Sequence, residues 1–478
     1  MHEAHGAAKD QRINLPHEDR QSTCYARRMR RVLDAFQQHR LLGGAVVLAL
    51  TQFGASVAGL IRDNLLARTF PGLGVVDVYV ASFRPSDLVL QVCIMSALGT
   101  VFVPLLAAHK AHGRKQEMSQ VLFGTMALGG LLFGAIALIM AIAMPWLGPQ
   151  LVRFEGPELS LYIRFAQFTL LTNLLFVFGN AFGQALITEQ RYWVYGLTPV
   201  LYTAGTILGT LLLTPVFGVY GPMVGTVLGA VLFVLWRAGA VFHAGYRLPR
   251  RFWHPDLHEM GILMLPRMFA LGALQLQLLL FDTIASGLDR GSITINAYSR
   301  NFASVIVGVA GIALAQSAYS LISQAVAKGE FARFKTYMEK GIGMMLLITV
   351  PGAIALALVA PIAARLVHLH DSSWYPAFRV SLMLYAISIP FESTGHLLLR
   401  GFYALKNTVV PAILVVTGGF LSVTVAWLFS DSFGVFALPL GYALGQVVEV
   451  VVLGALLLRI IRRRPKTPGI PVEPLPVP

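Results

Sequence analysis

The stretch Asp77–Lys110 reads DVYVASFRPSDLVLQVCIMSALGTVFVPLLAAHK, and the interpretation of the whole chain starts from it. It is long enough to cross a lipid bilayer and is mostly apolar. Its first third nevertheless carries Asp77, Arg84 and Asp87. An arginine inside a membrane span costs roughly 2.5 to more than 10 kcal/mol unless it faces a partner or water. We therefore interpret this segment as a cavity-lining helix whose Arg84 meets an anion.

The composition excludes an ordinary soluble domain. Of the 478 residues, 56% are hydrophobic and 13% are charged, and the mean hydropathy is +0.67. The formal net charge is +14, but the basic runs are short, lie at span ends and lack interleaved aromatic residues, so nucleic-acid binding is not expected. Cys24 lies in a polar tail and Cys93 in an apolar span, which argues against a disulfide framework. No cleavable signal peptide is expected, because the first 40 residues contain no apolar core.

A hydropathy window of about 19 residues predicts twelve membrane spans. Their limits are 41–61, 76–107, 119–147, 159–186, 193–215, 219–243, 259–286, 293–325, 337–367, 376–403, 408–430 and 434–460. The polar segments between them alternate in charge. The basic set contains Lys110, Arg114, Lys115, Arg191, Arg247, Arg250, Arg251, Lys328, Arg333, Lys335, Lys406 and Arg462–Arg464. The positive-inside rule therefore predicts that both termini are cytoplasmic.

An internal repeat divides the chain into two lobes. Residues 216 positions apart match repeatedly, as in Arg84/Arg300, Gly113/Gly329, Pro145/Pro361, Gly179/Gly395, Gly218/Gly434 and Gly225/Gly441, and an offset of 219 pairs Asp63 with Asp282. Six spans separate the copies, so the repeats are parallel. We predict a cytoplasmic basic tail (1–40), an N-terminal six-helix lobe (41–245), a cytoplasmic linker (246–258), a C-terminal six-helix lobe (259–462) and a Pro-rich tail (463–478).

Ionisable residues inside the spans are the candidate site. Arg84 and Arg300 occupy equivalent places in the two lobes, so we expect both to face a shared cavity. Two guanidinium groups suit a phosphate or pyrophosphate, whose oxygens they bind bidentately. The alternative is internal pairing, of Arg84 with Asp77 or Asp87 and of Arg300 with Asp282.

The remaining charges in the spans are assigned lesser roles. Asp63, Asp77 and Asp282 are expected to make internal pairs or gating contacts, and Asp87 is counted with them as a gating or cavity residue. Arg267 lies early in its span and can reach the cytoplasmic surface. Glu392 and Glu449 are alternative proton or cation sites.

No motif indicates a metal, a cofactor or an enzyme. The HLH run at 368–370 and the HPDLH run at 254–258 have metal-like spacing, but they lack further acidic or Cys partners nearby in sequence, so no metal site is expected. The chain contains no G-x-x-x-x-G-K-[ST], GxSxG or HExxH motif.

The first two spans resemble a known family. Gly59-x-x-Arg62-Asp63, Ala67-Arg68-x-Phe70, Phe102-Val103-Pro104 and the later run AYSRNFASVIVGVAGIALA are similar to segments of the lipid II flippases. These form the MurJ/MviN family of the multidrug/oligosaccharidyl-lipid/polysaccharide exporter superfamily. The resemblance places Arg62, Asp77, Arg84 and Arg300 in the cavity.

The same resemblance implies a fold, a cargo and a location. It implies two six-helix lobes in a V and alternating access that moves an undecaprenyl-pyrophosphate-linked disaccharide-pentapeptide outward. The expected location is the bacterial cytoplasmic (inner) membrane, with membrane lipids and cell-wall synthesis proteins as partners and a monomeric state.

Departures from the family pattern keep two alternatives open. Ser56, Leu90 and Gln91 stand where the family usually has arginines, which would suit a transport-inactive membrane scaffold of the same fold. The intramembrane carboxylates would instead suit a cation-coupled exporter of small amphiphiles.

Overall fold

The computed structural model describes residues 47–48, 50–98 and 102–463. The tail expected at 1–40 and the tail beyond Arg463 lie outside the described residues, and so does the side chain of Arg267. Within the described ranges the chain is helical and contains no β-strand, which confirms the predicted all-α fold class.

Helices follow one another along the described chain. In order they are α1 (50–69), α2 (Gly74–Leu90), α3 (Val103–Ala111), α4 (Lys115–Leu151), α5 (Gly156–Thr188), α6 (Tyr192–Leu208), α7 (Thr214–Phe217), α8 (Gly221–His243), α9 (Asp256–Ala285), α10 (Ser292–Ile306), α11 (Ala313–Ala327), α12 (Phe331–Leu358), α13 (Ala360–Leu366), α14 (Tyr375–Ala404), α15 (Val409–Phe433) and α16 (Ala437–Arg463). Helices suit apolar spans because lipid offers the backbone no hydrogen-bond partner.

Eight helical segments of the described chain are long and apolar enough to cross a membrane. Two of them, Tyr192–His243 and Val409–Arg462, are 52 and 54 residues long, and a straight helix of that length would span about 80 Å. Each folds back on itself, because α6 packs along α8 and α15 packs along α16. The total of twelve spans stays a prediction.

The backbone repeats at the same spacing as the sequence. Positive φ angles occur in pairs 216 residues apart, at Gly113 and Gly329 (69° and 72°), at Gln190 and Lys406 (60° and 59°), and at Gly218 and Gly434 (56° and 55°). π-helical turns at Gln91–Met95 and Val307–Ile312 begin at the same spacing. We call α1–α8 the first half and α9–α16 the second half; the predicted lobe and linker limits stay predictions.

Small residues allow the helical hairpins to pack closely. A Cβ added at Gly205 would lie 2.4 Å from the Cα of Gly229, and one at Gly441 would lie 2.4 Å from the carbonyl oxygen of Ser422. In lipid, close backbone approach of this kind replaces the hydrophobic effect as the source of helix association. The Gly-rich stretches therefore have a structural role at these crossings.

The helix ends form two distinct surfaces. The basic end comprises 109–115, 188–191 and 244–258, where Lys110 Nζ donates to the carbonyl of Thr188 at 2.8 Å. The opposite end comprises 62–74, 151–158 and 283–292. There the two halves are bonded to each other, since Thr283 Oγ1 donates to the Leu151 carbonyl at 2.6 Å and the Arg153 N–H donates to Ser286 Oγ at 2.8 Å.

Candidate functional site

A cavity of about 200 Å³ lies between the two halves, and it contains all three arginines predicted to bind substrate. Arg62 comes from α1, Arg84 from α2 and Arg300 from α10. Asp63 and Asp87 also line it. Arg300 lies more than two hundred positions after the other four in the sequence, and the packing of α2 against α10 brings it to them.

Arg84 and Arg300, the two repeat-related arginines, are each followed by an irregular helical turn at the same distance along the chain. A π-helical turn begins at Gln91, seven residues after Arg84, and another begins at Val307, seven residues after Arg300. Such turns insert an extra residue into the helical ladder and occur frequently at functional sites. The irregularity is therefore part of the repeated unit that presents the arginine.

Arg84 forms a buried ion pair across the two halves. Its Nε donates to Asp282 Oδ2 at 2.6 Å, and the side chains of Arg84 and Asp282 are only 15% and 3% exposed. The sequence had offered Asp77 or Asp87 as partners for Arg84, and Asp282 as a partner for Arg300. The pair that forms instead joins α2 to α9, so Asp282 acts as a contact between the halves.

Asp77 is buried and caps a helix of the other half. Its carboxylate accepts the backbone N–H groups of Gly291 and Thr294 as well as the hydroxyl of Thr294. These groups lie at the start of α10, where backbone donors have no partner within the helix. Asp77 therefore fastens α2 to the beginning of α10.

Asp63 is hydrogen-bonded from both halves, since the hydroxyl of Tyr298 in α10 also donates to its backbone carbonyl at 3.1 Å, whereas the Asp87 side chain is bonded within the first half. Nε and Nη2 of Arg62 both donate to Asp63 Oδ1, at 2.9 and 2.7 Å. Asn173 Nδ2 donates to Asp87 Oδ1 at 2.8 Å. Both carboxylates line the cavity. Arg62 balances the charge of Asp63, whereas the amide of Asn173 is neutral and does not balance the charge of Asp87.

Arg300 differs from the other two arginines. Among the residues that the structure describes, no carboxylate lies within ion-pair distance of its guanidinium group, and the side chain is half-buried at the cavity wall. A half-buried guanidinium group without a direct ion-pair partner is costly in a membrane span. It is the cation of this cavity best able to accept an anionic ligand.

Aromatic and amide side chains complete the cavity and were not singled out from the sequence. They are Tyr79, Phe83, Tyr202, Tyr298 and Asn301. Tyr298 and Asn301 flank Arg300, so proximity in sequence could have indicated them. Tyr202 lies in an uncharged stretch of α6, where only the packed structure identifies it.

The other intramembrane charges do not line this cavity, although Glu392 lies close enough to Arg300 for an electrostatic interaction through space. Of the described residues that line the cavity, none belongs to α14, which carries Glu392 and Arg400, or to α16, which carries Glu449. Arg400 Nη1 donates to the carbonyl of His396 in its own helix at 2.8 Å. A proton or cation site at Glu392 or Glu449 stays a prediction.

An ionic cluster ties α3, α4 and the α5–α6 turn together at the basic end. Glu189 bonds to Lys110 at 2.9 Å and also to Lys115. Burial by itself would raise the pKa of Glu189, but the two ammonium groups outweigh it and hold the pKa below its usual value of 4.5. Burial and the nearby Glu189 raise the pKa of Tyr246, which donates its hydroxyl to that carboxylate at 3.2 Å.

Comparison with known proteins gives consistent matches over most of the chain. The family described as lipid II flippase MurJ matches residues 66–469. A probable lipid II flippase MurJ of Haemophilus influenzae is 25% identical over 419 residues, which cover 81% of this chain and 79% of that protein. A lipid II flippase MurJ of Burkholderia cenocepacia is 24% identical over 389 residues, or 77% and 74% of the two chains.

Solved structures show the same fold. A lipid II flippase MurJ in an inward closed conformation superposes with a TM-score of 0.74 at 19% identity, and 88% of each chain is covered. An inward-facing multidrug resistance MATE family transporter of the MOP superfamily gives a TM-score of 0.73 at 18% identity, covering 85% of this chain and 94% of that one. The family match spans most of the chain, and the chain therefore belongs to the lipid II flippase MurJ family.

Proposed function

We propose that this protein moves lipid II, an undecaprenyl-pyrophosphate-linked glycan, across the bacterial cytoplasmic membrane by alternating access. Arg300, assisted by Arg62 and Arg84, would bind the pyrophosphate. The relatives named lipid II flippase MurJ support the cargo. No covalent chemistry or cofactor is part of the proposal, and the protein is expected to act as a monomer.

The observation that carries this proposal is the convergence of three arginines, of which one lacks a carboxylate partner. Arg62 and Arg84 are each paired, with Asp63 and Asp282, whereas Arg300 is not paired within the described structure. Arg300 therefore presents to the cavity a cation that no carboxylate of the described chain contacts at ion-pair distance. A pyrophosphate presents several oxygens to which guanidinium groups can donate bidentately.

The bonds between the halves suggest what the transport cycle must change. We propose that the basic end faces the cytoplasm, following the positive-inside rule. The Asp77 cap on α10 and the Arg84–Asp282 pair would then lie toward the outer side. In alternating access one half rocks against the other, so outward release of the cargo would require these bonds to open.

The test is translocation of fluorescent lipid II by the full-length protein in reconstituted vesicles. Arg300→Ala is expected to abolish most of the translocation, because the pyrophosphate loses its unpaired cation. Arg164→Ala is the matched control, since Arg164 is an exposed arginine outside the cavity lining that donates to the hydroxyl of Tyr220 at 3.1 Å. Equal translocation by wild type and Arg300→Ala would refute the role of the cavity, and absence of translocation by wild type would refute the function.

A further inference from the structure

Two histidines and an aspartate meet at the basic end, outside the proposed cargo cavity. His109 comes from the end of α3, His254 from the segment that joins the two halves, and Asp256 from the first residue of α9. One possible ligand atom from each of the three lies within 4.8 Å of the other two. The rings of His109 and His254 meet edge to face with 5.2 Å between their centroids.

His109 lies between two carboxylates. Its Nε2 is 2.7 Å from Asp256 Oδ2, and its Nδ1 is 2.8 Å from Glu117 Oε2. A neutral imidazole carries one N–H, so it can donate to only one of these acceptors. A neutral ring would therefore turn a lone pair toward one of the two carboxylates, an unfavourable contact that a metal ion between Nε2 and Asp256 would relieve.

We propose that His109, His254 and Asp256 form a binding site for a divalent transition-metal ion such as Zn²⁺. The ligands would be His109 Nε2, a ring nitrogen of His254 and a carboxylate oxygen of Asp256. Two imidazoles and a carboxylate are a donor set that Zn²⁺ accepts, with water in the fourth position. Glu117 would orient His109 through Nδ1, as carboxylates commonly do behind metal-bound histidines.

The distances require only a small adjustment for an ion to enter. Bonds of roughly 2.0–2.2 Å in a tetrahedral site place neighbouring ligand atoms about 3.3 Å apart. His254 Nδ1 and Asp256 Oδ1 are 3.3 Å apart; Nδ1 accepts the backbone N–H of Asp256 at 3.2 Å, and coordination through Nδ1 would replace that bond. His109 Nε2 and Asp256 Oδ2, at 2.7 Å, would have to separate slightly, which side-chain rotation can provide.

A metal ion at this site would connect elements of both halves. His109 and Glu117 belong to α3 and α4 of the first half, whereas Asp256 begins the first helix of the second half. A bound ion would therefore cross-link the segment between the halves to the first half and resist movement at this joint. The HPDLH run was not expected to bind metal because partners were missing nearby in sequence; His109 and Glu117 are the partners that folding supplies.

The experiment titrates Co²⁺ and Zn²⁺ into the full-length protein, purified in detergent without a polyhistidine tag. Co²⁺ reports coordination through its visible absorption, and Zn²⁺ affinity is obtained by competition with a chromogenic chelator. We expect one saturable site in wild type that His109→Ala and His254→Ala lose. Glu117→Gln should retain the site with about 10–100-fold weaker affinity.

His112→Ala is the matched control, because His112 is an exposed histidine one turn away whose Nδ1 contacts the Ala108 carbonyl at 2.9 Å. It should bind Co²⁺ and Zn²⁺ like wild type. Because His109→Ala and His112→Ala both retain the histidines of the N-terminal tail, any metal binding by the tail is the same in the two variants. Equal binding by His109→Ala and His112→Ala, or no saturable site in wild type, would overturn the proposal. If His109→Ala does not fold, an unchanged affinity in Glu117→Gln together with unchanged binding in His254→Ala would overturn it.

Discussion

The surroundings of Arg84 and Arg300 differ although the repeat places the two residues equivalently. Arg84 is paired with Asp282 across the halves, whereas Arg300 has no carboxylate partner in the described structure. The counterpart of Asp282 at the offset of 219 is Asp63, so the symmetric pair would be Arg300 with Asp63. Asp63 is instead bound by Arg62.

One substitution between the repeats accounts for this asymmetry. At the offset of 219 the counterpart of Arg62 is Phe281, an apolar residue that cannot compete for Asp282. Arg62, which has no arginine counterpart in the second half, therefore binds Asp63 and leaves it unavailable to Arg300. The repeat-related arginines therefore have different roles. Arg84 forms an ion pair between the halves, and Arg300 is a cation without an ion-pair partner in the described chain.

The largest effect, on stability, is expected from breaking the Arg84–Asp282 ion pair. Arg84→Leu leaves Asp282 buried without its partner and should destabilise the protein by about 3–5 kcal/mol. The double variant Arg84→Leu/Asp282→Leu should recover most of that loss, because no uncompensated charge remains. Thermal unfolding in detergent measures both, and Arg290→Leu, which removes an exposed pair with Glu158, is the control. Equal melting of Arg84→Leu and wild type would show that the pair does not hold the halves together.

A smaller effect, on pyrophosphate binding, is expected from removing the charge of Arg300. Arg300→Ala should weaken the binding of inorganic pyrophosphate roughly 10–100-fold, equivalent to about 1.5–3 kcal/mol for a charged hydrogen-bonding group. The pyrophosphate affinity of Arg300→Lys should lie between those of wild type and Arg300→Ala, because an ammonium group cannot donate as a planar fork. Isothermal titration calorimetry measures the affinities. The melting temperature should change little, since no ion pair is broken; a large drop would assign Arg300 a structural role instead.

The origin of the asymmetry can be tested by making the first half resemble the second. Arg62→Phe should free Asp63 to pair with Arg300 and weaken pyrophosphate binding by about tenfold or less, the scale of one ion pair of modest strength. The double variant Arg62→Phe/Asp63→Asn should restore much of the affinity, because no carboxylate then competes for Arg300. Unchanged affinity in Arg62→Phe would mean that Asp63 does not compete with the anion.

The smallest effect concerns a second asymmetry, at the basic end. Glu189 and Lys110 correspond at the offset of 216 to Leu405 and Val326, which pack against an apolar cluster in the second half. The half-exposed ionic contacts should contribute only about 0.2–1 kcal/mol each. Because folding lowers the pKa of Glu189, this contribution is present above its usual value of 4.5 and is lost as the pH falls through the folded value.

Glu189→Gln measures this contribution. At neutral pH it should melt slightly below wild type, and the difference should shrink as the solution is acidified below 4.5, the usual pKa of a glutamate. Glu155→Gln, at the opposite end and without an ion pair in the described structure, is the control. A difference that stays constant with pH would show that the charge of Glu189 is unimportant.

The family resemblance, not the repeat, singled out Arg62, and substrate binding by Arg62, Arg84 and Arg300 stays a prediction. Sequence patterns were sufficient for the helical fold class and for the repeat that relates Arg84 to Arg300. Intramembrane arginines are costly, so their presence at repeat-related positions is informative without any structure. The pairing of charges was not predictable, because the sequence offers several carboxylates to each arginine at similar distances along the helices. Asp77, for example, was a candidate partner for Arg84, yet it caps α10.

The sequence by itself determined which segments are helices and which of their residues are costly in lipid, because hydropathy and charge are local properties. Only the tertiary structure decided which charge is neutralised. Arg84 meets Asp282, Arg62 takes Asp63, and Arg300 remains without a carboxylate partner in the described chain because of how α1, α2, α9 and α10 pack. Ion pairing depends on separations of a few ångströms in space, which distance along the chain does not fix.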